Sequence, residues 1–155
     1  MAEKDFLKKL VRRFRNHLGN NLVSIVLFGS QARGDSKTTS DYDLFIVAKN
    51  LPKSPLKRLF YVREPLRGDF KEKISIIAKT RKEVQAGFPS LFLDIGMDGI
   101  ILYDANFFEE RIQRIREIIK KARLKRIREK GNFIWEWENP PKRGWEITWN
   151  GYREL

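Results

Sequence analysis

Apolar residues near the start of the chain recur at three- and four-residue steps: Phe6, Leu7, Leu10, Val11, Phe14 and Leu18. That period gathers them on one side of a helix, and Gly19-Asn20 is the stop signal that follows. Val23 to Phe28 runs almost without a polar break, the pattern of a strand covered on both faces. Further strands are predicted over Asp43 to Val47 and Lys73 to Ile77. Between them, Leu51 to Asp69 contains Pro52, Pro55 and Pro65, so it reads as a connector with at most a short helix. Thr80 and Glu83 have the spacing of a capping box, and Ile100 to Tyr103 predicts a fourth strand. After it, Phe108, Ile112, Ile115, Ile119 and Ala122 form a helical stripe, which predicts one long helix from Ala105 to Lys130 closed by Gly131-Asn132. The tail alternates instead. Phe133, Trp135 and Trp137 precede Asn139-Pro140-Pro141-Lys142-Arg143-Gly144, and Trp145, Ile147 and Trp149 follow it, which predicts a hairpin with one aromatic face.

Composition narrows the chemistry. The 155 residues suffice for one domain with a real core, and an apolar fraction of 41% is that of a folded protein. The absence of cysteine excludes disulfides, thiolate metal sites and cysteine nucleophiles. The lone histidine, His17, suits the last turn of the first helix and cannot build a histidine-rich metal site. Any metal is therefore held by carboxylates, which favours magnesium or manganese over zinc. No window is apolar and long enough to span a bilayer, and the charged N-terminus lacks the centre of a signal peptide, so a cytoplasmic location is expected without membrane association. The density of Lys, Arg and Glu, 34% charged residues with a net charge of +12, fits a thermophile's proteome.

The candidate chemistry lies in Leu27-Phe28-Gly29-Ser30-Gln31-Ala32-Arg33-Gly34 and in Ser40-Asp41-Tyr42-Asp43-Leu44. A strand that ends in Gly-Ser can bring backbone amides close to a phosphate, and the Ser30 hydroxyl adds a donor. Asp41 and Asp43 alternate, so they project from one strand face. Two adjacent carboxylates repel unless a cation sits between them, and a hard divalent ion also holds nucleotide phosphates. Arg33 offers a bidentate guanidinium for the same phosphates.

Gly29, Ser30, Asp41 and Asp43, with Ala32-Arg33-Gly34, resemble the signature of the minimal nucleotidyltransferases of the DNA polymerase beta superfamily: Gly-Ser, ten residues, then Asp-x-Asp. The resemblance implies an α/β fold with a mixed sheet flanked by helices, a magnesium-bound triphosphate, and transfer of a nucleoside monophosphate to a hydroxyl. The order of elements agrees out to Asp104. That suggests a nucleotidyltransferase core over 1–104, with a basic helix and aromatic tail over 105–155 packed on it or on a partner. The superfamily's third carboxylate belongs on a later strand, where this chain has Ser75 in Lys73-Ile74-Ser75-Ile76-Ile77. A serine is neither a charged ligand nor a base at neutral pH. Asp69, Glu72, Asp94 and Asp98 are the candidate substitutes, with Asp94 as the catalytic choice and Asp98-Gly99 read as a turn pair.

Arg111 to Lys130 holds ten Lys or Arg against two Glu, a charge suited to nucleic-acid phosphates, an acidic partner or a solvated face. The tryptophans are expected to pack against the domain or a partner, with base stacking as the other reading. The leading functional expectation is AMP transfer from ATP, with magnesium or manganese, to a hydroxyl of a partner protein. The family resemblance implies a HEPN-domain partner in a toxin–antitoxin pair, silenced at a tyrosine. The alternatives are an inactive nucleotide- or partner-binding subunit, transfer to a small molecule such as an aminoglycoside, and transfer to RNA. Self-association of identical copies stays open.

Overall fold

The computed structural model describes residues 2–37, 40–68 and 70–155. The first apolar stripe forms helix α1, Ala2–Leu18, with Leu10 and Phe14 fully enclosed. A 3-10 turn over Gly19–Asn21 leads into strand β1, Leu22–Phe28. The short helix α2, Gly29–Arg33, and a loop precede β2, Tyr42–Ala48. The proline-containing connector carries α3, Pro55–Arg63. Pro55 stands in its first turn, where a missing N–H is no loss, and the Ser54 hydroxyl accepts from the Lys57 N–H as a cap. Strand β3, Ile74–Thr80, runs into α4, Arg81–Ala86, and both bonds of the Thr80–Glu83 capping box are present. Helix α5, Leu91–Asp98, and strand β4, Ile100–Asp104, follow.

The four strands form one mixed sheet in the order β3-β2-β1-β4, with β2 and β3 parallel and the other pairs antiparallel. Alternation along β2 divides the core. Leu44, Ile46 and Ala48 join Leu10, Phe14 and Leu18 of α1, whereas Phe45 and Val47 pack against Phe92 and Ile95 of α5. Asp43 shares the parity of Phe45, so the carboxylate pair lies at the end of the face that α5 covers. Between β1 and β4, the fully buried Ser24 hydroxyl donates to Asp104 Oδ1 at 2.7 Å, which satisfies the polar group inside the core.

The C-terminal third corrects two expectations. The helix predicted over Ala105 to Lys130 ends early: α6 spans Phe108–Ala122, and Arg123 follows with a left-handed φ of 56°. Strand β5, Leu124–Glu129, then pairs antiparallel with β6, Asn132–Trp137. The turn residues Lys130 and Gly131 have φ of 50° and 82°, the geometry of a two-residue hairpin. A glycine with left-handed φ serves a helix end and such a turn equally well, which is why Gly131 reads as a cap in the sequence. The tryptophan hairpin is likewise two hairpins, since β7, Trp145–Thr148, pairs with β8, Gly151–Glu154. The aromatic faces still meet, with Trp137 and Trp145 ring centroids 5.1 Å apart.

Trp135 and Trp149 pack against the core, whereas Trp145 stays half exposed. Trp149 Nε1 donates to the carbonyls of Val84 and Gly87 at 2.7 and 3.0 Å, and its ring lies 4.9 Å from Phe88. No described helix is long and apolar enough to cross a membrane.

Candidate active site

Strand register assembles the site. Asp43 pairs with Phe28 across the antiparallel β1–β2 ladder and with Ser75 across the parallel β2–β3 ladder. The last residue of β1 therefore sits beside Asp43, and the chain must turn immediately after it. Gly29 makes that turn with φ +74°, and a Cβ built on it would lie 2.2 Å from Asp43 Oδ2. Left-handed backbone and a carboxylate against the Cα both demand glycine here. The turn opens α2, and Gln31 Nε2 ties that helix to Ser40 O at 3.3 Å, one residue before Asp41. The Ser30 hydroxyl makes no hydrogen bond among the described residues, which leaves it free to donate to a ligand.

Asp41, Asp43 and Ser75 share one face of the sheet end. The Ser75 hydroxyl donates to Asp41 Oδ2 at 2.9 Å, so the serine occupies the place where a third carboxylate would crowd the pair. Burial pushes the Asp43 carboxyl above the usual carboxylate range and the Asp41 charge adds to it, with Arg33 pulling the other way. Such a pair is short of positive charge. Two carboxylates of this kind would suit a hard divalent cation. Among the described residues, no three of His, Cys, Asp and Glu gather into a metal-binding group, so no third protein carboxylate joins the pair.

The structure does not bring Asp94 to the carboxylate pair. Asp94 Oδ1 accepts from Arg126 at 3.3 Å and from Trp135 Nε1 at 3.1 Å. Asp98 is no simple turn residue either. Its side chain is 6% exposed and takes both nitrogens of Arg126 at 2.7 Å, with Arg33 Nη1 at 3.1 Å. The hydrogen bonds that Arg126 donates to Asp98 raise its proton affinity against the opposing effect of burial. Arg33 also bonds Asp35 at 3.2 Å, and the guanidinium carbons of Arg33, Arg126 and Arg128 lie 4.3–4.7 Å from the Phe133 ring centroid. Of the other substitutes, Asp69 lies outside the described residues, and Glu72 lines a cavity with Gln31, Lys37 and Lys73.

Arg126 and Phe133 thus link the β5–β6 hairpin to the arginine of the signature, a role that sequence reading missed. Placing Arg126 on a helix turned it into one of many surface charges. The only signal available was the Arg126-x-Arg128 alternation, which a helical reading discards. The supposed continuous basic face is also broken, since Arg116 donates to Gly96 O, Arg114 to Trp149 O, and Arg128 to Asp35.

Residues 8–108 match the family model described as polymerase beta, nucleotidyltransferase. A protein of Methanocaldococcus jannaschii, described as a candidate protein adenylyltransferase, is 35% identical over 124 residues, which is 77% of this chain and 82% of that protein. A crystal structure of a toxin–antitoxin with AMP-PNP superposes with a TM-score of 0.55 at 16% identity, covering 74% of this chain and 87% of that one. A structure of a tri-AMPylated HEPN toxin of Shewanella oneidensis in complex with its MNT antitoxin gives 0.50 at 14% identity, covering 74% and 84%. At these identities the solved structures share the fold.

Proposed function

The chain belongs to the polymerase beta nucleotidyltransferase family, and from that premise we propose that it transfers AMP from ATP to a hydroxyl on a partner protein. The observation that carries the reading is the Asp43 carboxylate seated against the Cα of Gly29, with Asp41 on the same sheet face. That arrangement supports a divalent cation and a triphosphate at this end of the sheet. Protein as the acceptor is supported by the resemblance to the Methanocaldococcus protein.

Asp41 and Asp43 would hold one magnesium or manganese ion, which neutralises triphosphate charge when bound. Ser75 fixes the orientation of Asp41 through its donated hydrogen bond. Ser30 offers a free hydroxyl to a phosphate oxygen, and Arg33 can exchange Asp35 for phosphate while Arg126 keeps Asp98 compensated. The acceptor oxygen replaces pyrophosphate on the α-phosphorus. With serine in place of a third carboxylate, the chain adds little to acceptor deprotonation, so the site favours an acidic hydroxyl such as a tyrosine over an aliphatic one. A HEPN toxin encoded beside this chain is the proposed acceptor, in keeping with the partner seen in the solved relative.

The test is α-labelled ATP with magnesium and the purified neighbouring protein. Label on that protein is expected, and none with Asp41→Asn/Asp43→Asn. A variant that neutralises the toxin as well as wild type without transferring label would replace catalysis by binding alone.

A further inference from the structure

Helix α3 is apolar on two sides. Val62 is 2% exposed and faces the domain, while Leu56, Leu59 and Phe60 are 62%, 45% and 67% exposed. Their spacing, i, i+3 and i+4, makes one outward stripe. Among the described residues no other helix presents more than one exposed large apolar side chain, Met97 on α5.

The stripe borders a cavity of about 460 Å³ between α3 and β3, lined by Leu59, Val62, Ile76 and Ile77 with Lys53 and Lys79 at its rim. Strand addition to the edge strand β3 is blocked there. Arg63 Nη1 donates to Ile74 O at 2.8 Å and Arg58 Nη1 to Ala78 O at 3.3 Å, so two carbonyls of the edge are already taken. The surroundings are cationic: Lys53, Lys57, Arg63 and Lys79 form no ion pair among the described residues, and Arg58 is neutralised by Glu83. A second copy of this chain would set these charges against themselves across a two-fold axis. The stripe also leads to the active site. Arg63 caps Ile74, and the next residue, Ser75, holds Asp41.

We propose that the Leu56–Leu59–Phe60 face and its cavity are the docking site for an acidic amphipathic helix of the acceptor protein, which holds the acceptor at the sheet end where Asp41 and Ser75 lie. The apolar stripe of the incoming helix covers the three exposed side chains and fills the cavity mouth, and its flanking carboxylates meet Lys53, Lys57 and Lys79. This rests on the reading that the acceptor is a protein.

The experiment uses the full chain and synthetic amphipathic helices of about 18 residues, long enough to hold helical structure: one with a leucine stripe flanked by glutamate, one flanked by lysine, each with a C-terminal tyrosine tail. The glutamate helix is expected to bind at least about tenfold tighter than the lysine helix. Phe60→Ser, and separately Leu56→Ser, is expected to weaken it by about tenfold. ATP binding by calorimetry is unchanged in both variants, which shows that they are folded. Equal binding of the two helices, no binding, unchanged binding by the variants, partition onto anionic vesicles in preference to the helix, or sedimentation as a dimer that Phe60→Ser dissolves would each overturn the proposal. Label transfer is scored separately. Docking without label leaves this surface standing and removes the transferase reading, whereas label on the tail without docking does the reverse.

Discussion

Replacing Gly29 by alanine, with Gly34→Ala as its partner, separates backbone strain from crowding of the site. Both glycines have left-handed φ, +74° and +83°, and either alanine costs about 1 kcal/mol for that conformation. They differ in what the new methyl meets. At Gly34 nothing lies within 4 Å; at Gly29 the methyl is 2.2 Å from Asp43 Oδ2, where ordinary contact begins at 3.4 Å. The carboxylate oxygen must retreat by about 1.2 Å. The backbone of Asp43 cannot follow, because β2 is bonded to β1 on one side and β3 on the other. The side chain must instead leave its rotamer, at a further cost of about 1 kcal/mol. Gly34→Ala is therefore expected to lower Tm by about 3 °C and Gly29→Ala by roughly twice that. The functional contrast is larger, since a displacement of about 1 Å at a reacting centre costs about a hundredfold. Gly29→Ala should lose about two orders of magnitude in transfer rate and in Mn2+ affinity, and Gly34→Ala should stay within about threefold. Calorimetric Mn2+ titration, thermal melts and labelled-ATP transfer on the three proteins read this out. Equal losses in the two variants would refute the close approach of Asp43 to Gly29 as the organising feature of the site.

Three further outcomes are expected. Ser75→Asp restores a carboxylate beside Asp41; without metal it should destabilise by about 1–2 kcal/mol from like-charge crowding, and it should raise Mn2+ affinity about tenfold or more. Calorimetry and melts with and without metal check this, and unchanged affinity would show that position 75 does not face the cation. Arg126→Ala leaves the nearly buried Asp98 with Arg33 alone and Asp94 with Trp135 alone; a loss of about 3 kcal/mol is expected in urea unfolding, where a surface-like loss under about 0.5 kcal/mol would contradict the buried network. Burial raises the proton affinity of Asp104, but hydrogen bonds from the Phe108 N–H, Ser24 Oγ and the N–H groups of Glu109 and Phe107 outweigh it and hold the carboxyl below the usual range. Its folded pKa lies under its unfolded one, so the stabilisation is present above the unfolded value and is lost as pH falls through the folded one. Wild type should lose stability on acidification through that window more steeply than Asp104→Asn, and parallel pH profiles would contradict the assignment.

Local information determined the signature and most of the sheet. Gly29, Ser30, Asp41 and Asp43 were legible because turn chemistry and strand alternation act over a few residues. The continuous apolar run Val23–Phe28 and the Thr80–Glu83 box needed no distant partner to announce themselves. The serine at position 75 was readable as a departure, and register then placed it against Asp41.

What tertiary structure decided lies where a local pattern admits two answers. Arg111 to Lys130 has enough helical period to continue as a helix, yet the chain leaves it at Arg123, because in a strand Arg126 reaches two carboxylates and Phe133. That gain depends on Asp94, Asp98 and Phe133, none of them local to Arg126. Asp94 is drawn into this network for the same reason. The two apolar sides of α3 were hidden by the prolines of the connector that carries it, and only the packed domain shows which side is left uncovered. Short-range chemistry wrote the glycine turn and the carboxylate pair into the sequence; the allocation of arginines among carboxylates required the fold, because ion pairing is chosen by distance in space and not along the chain.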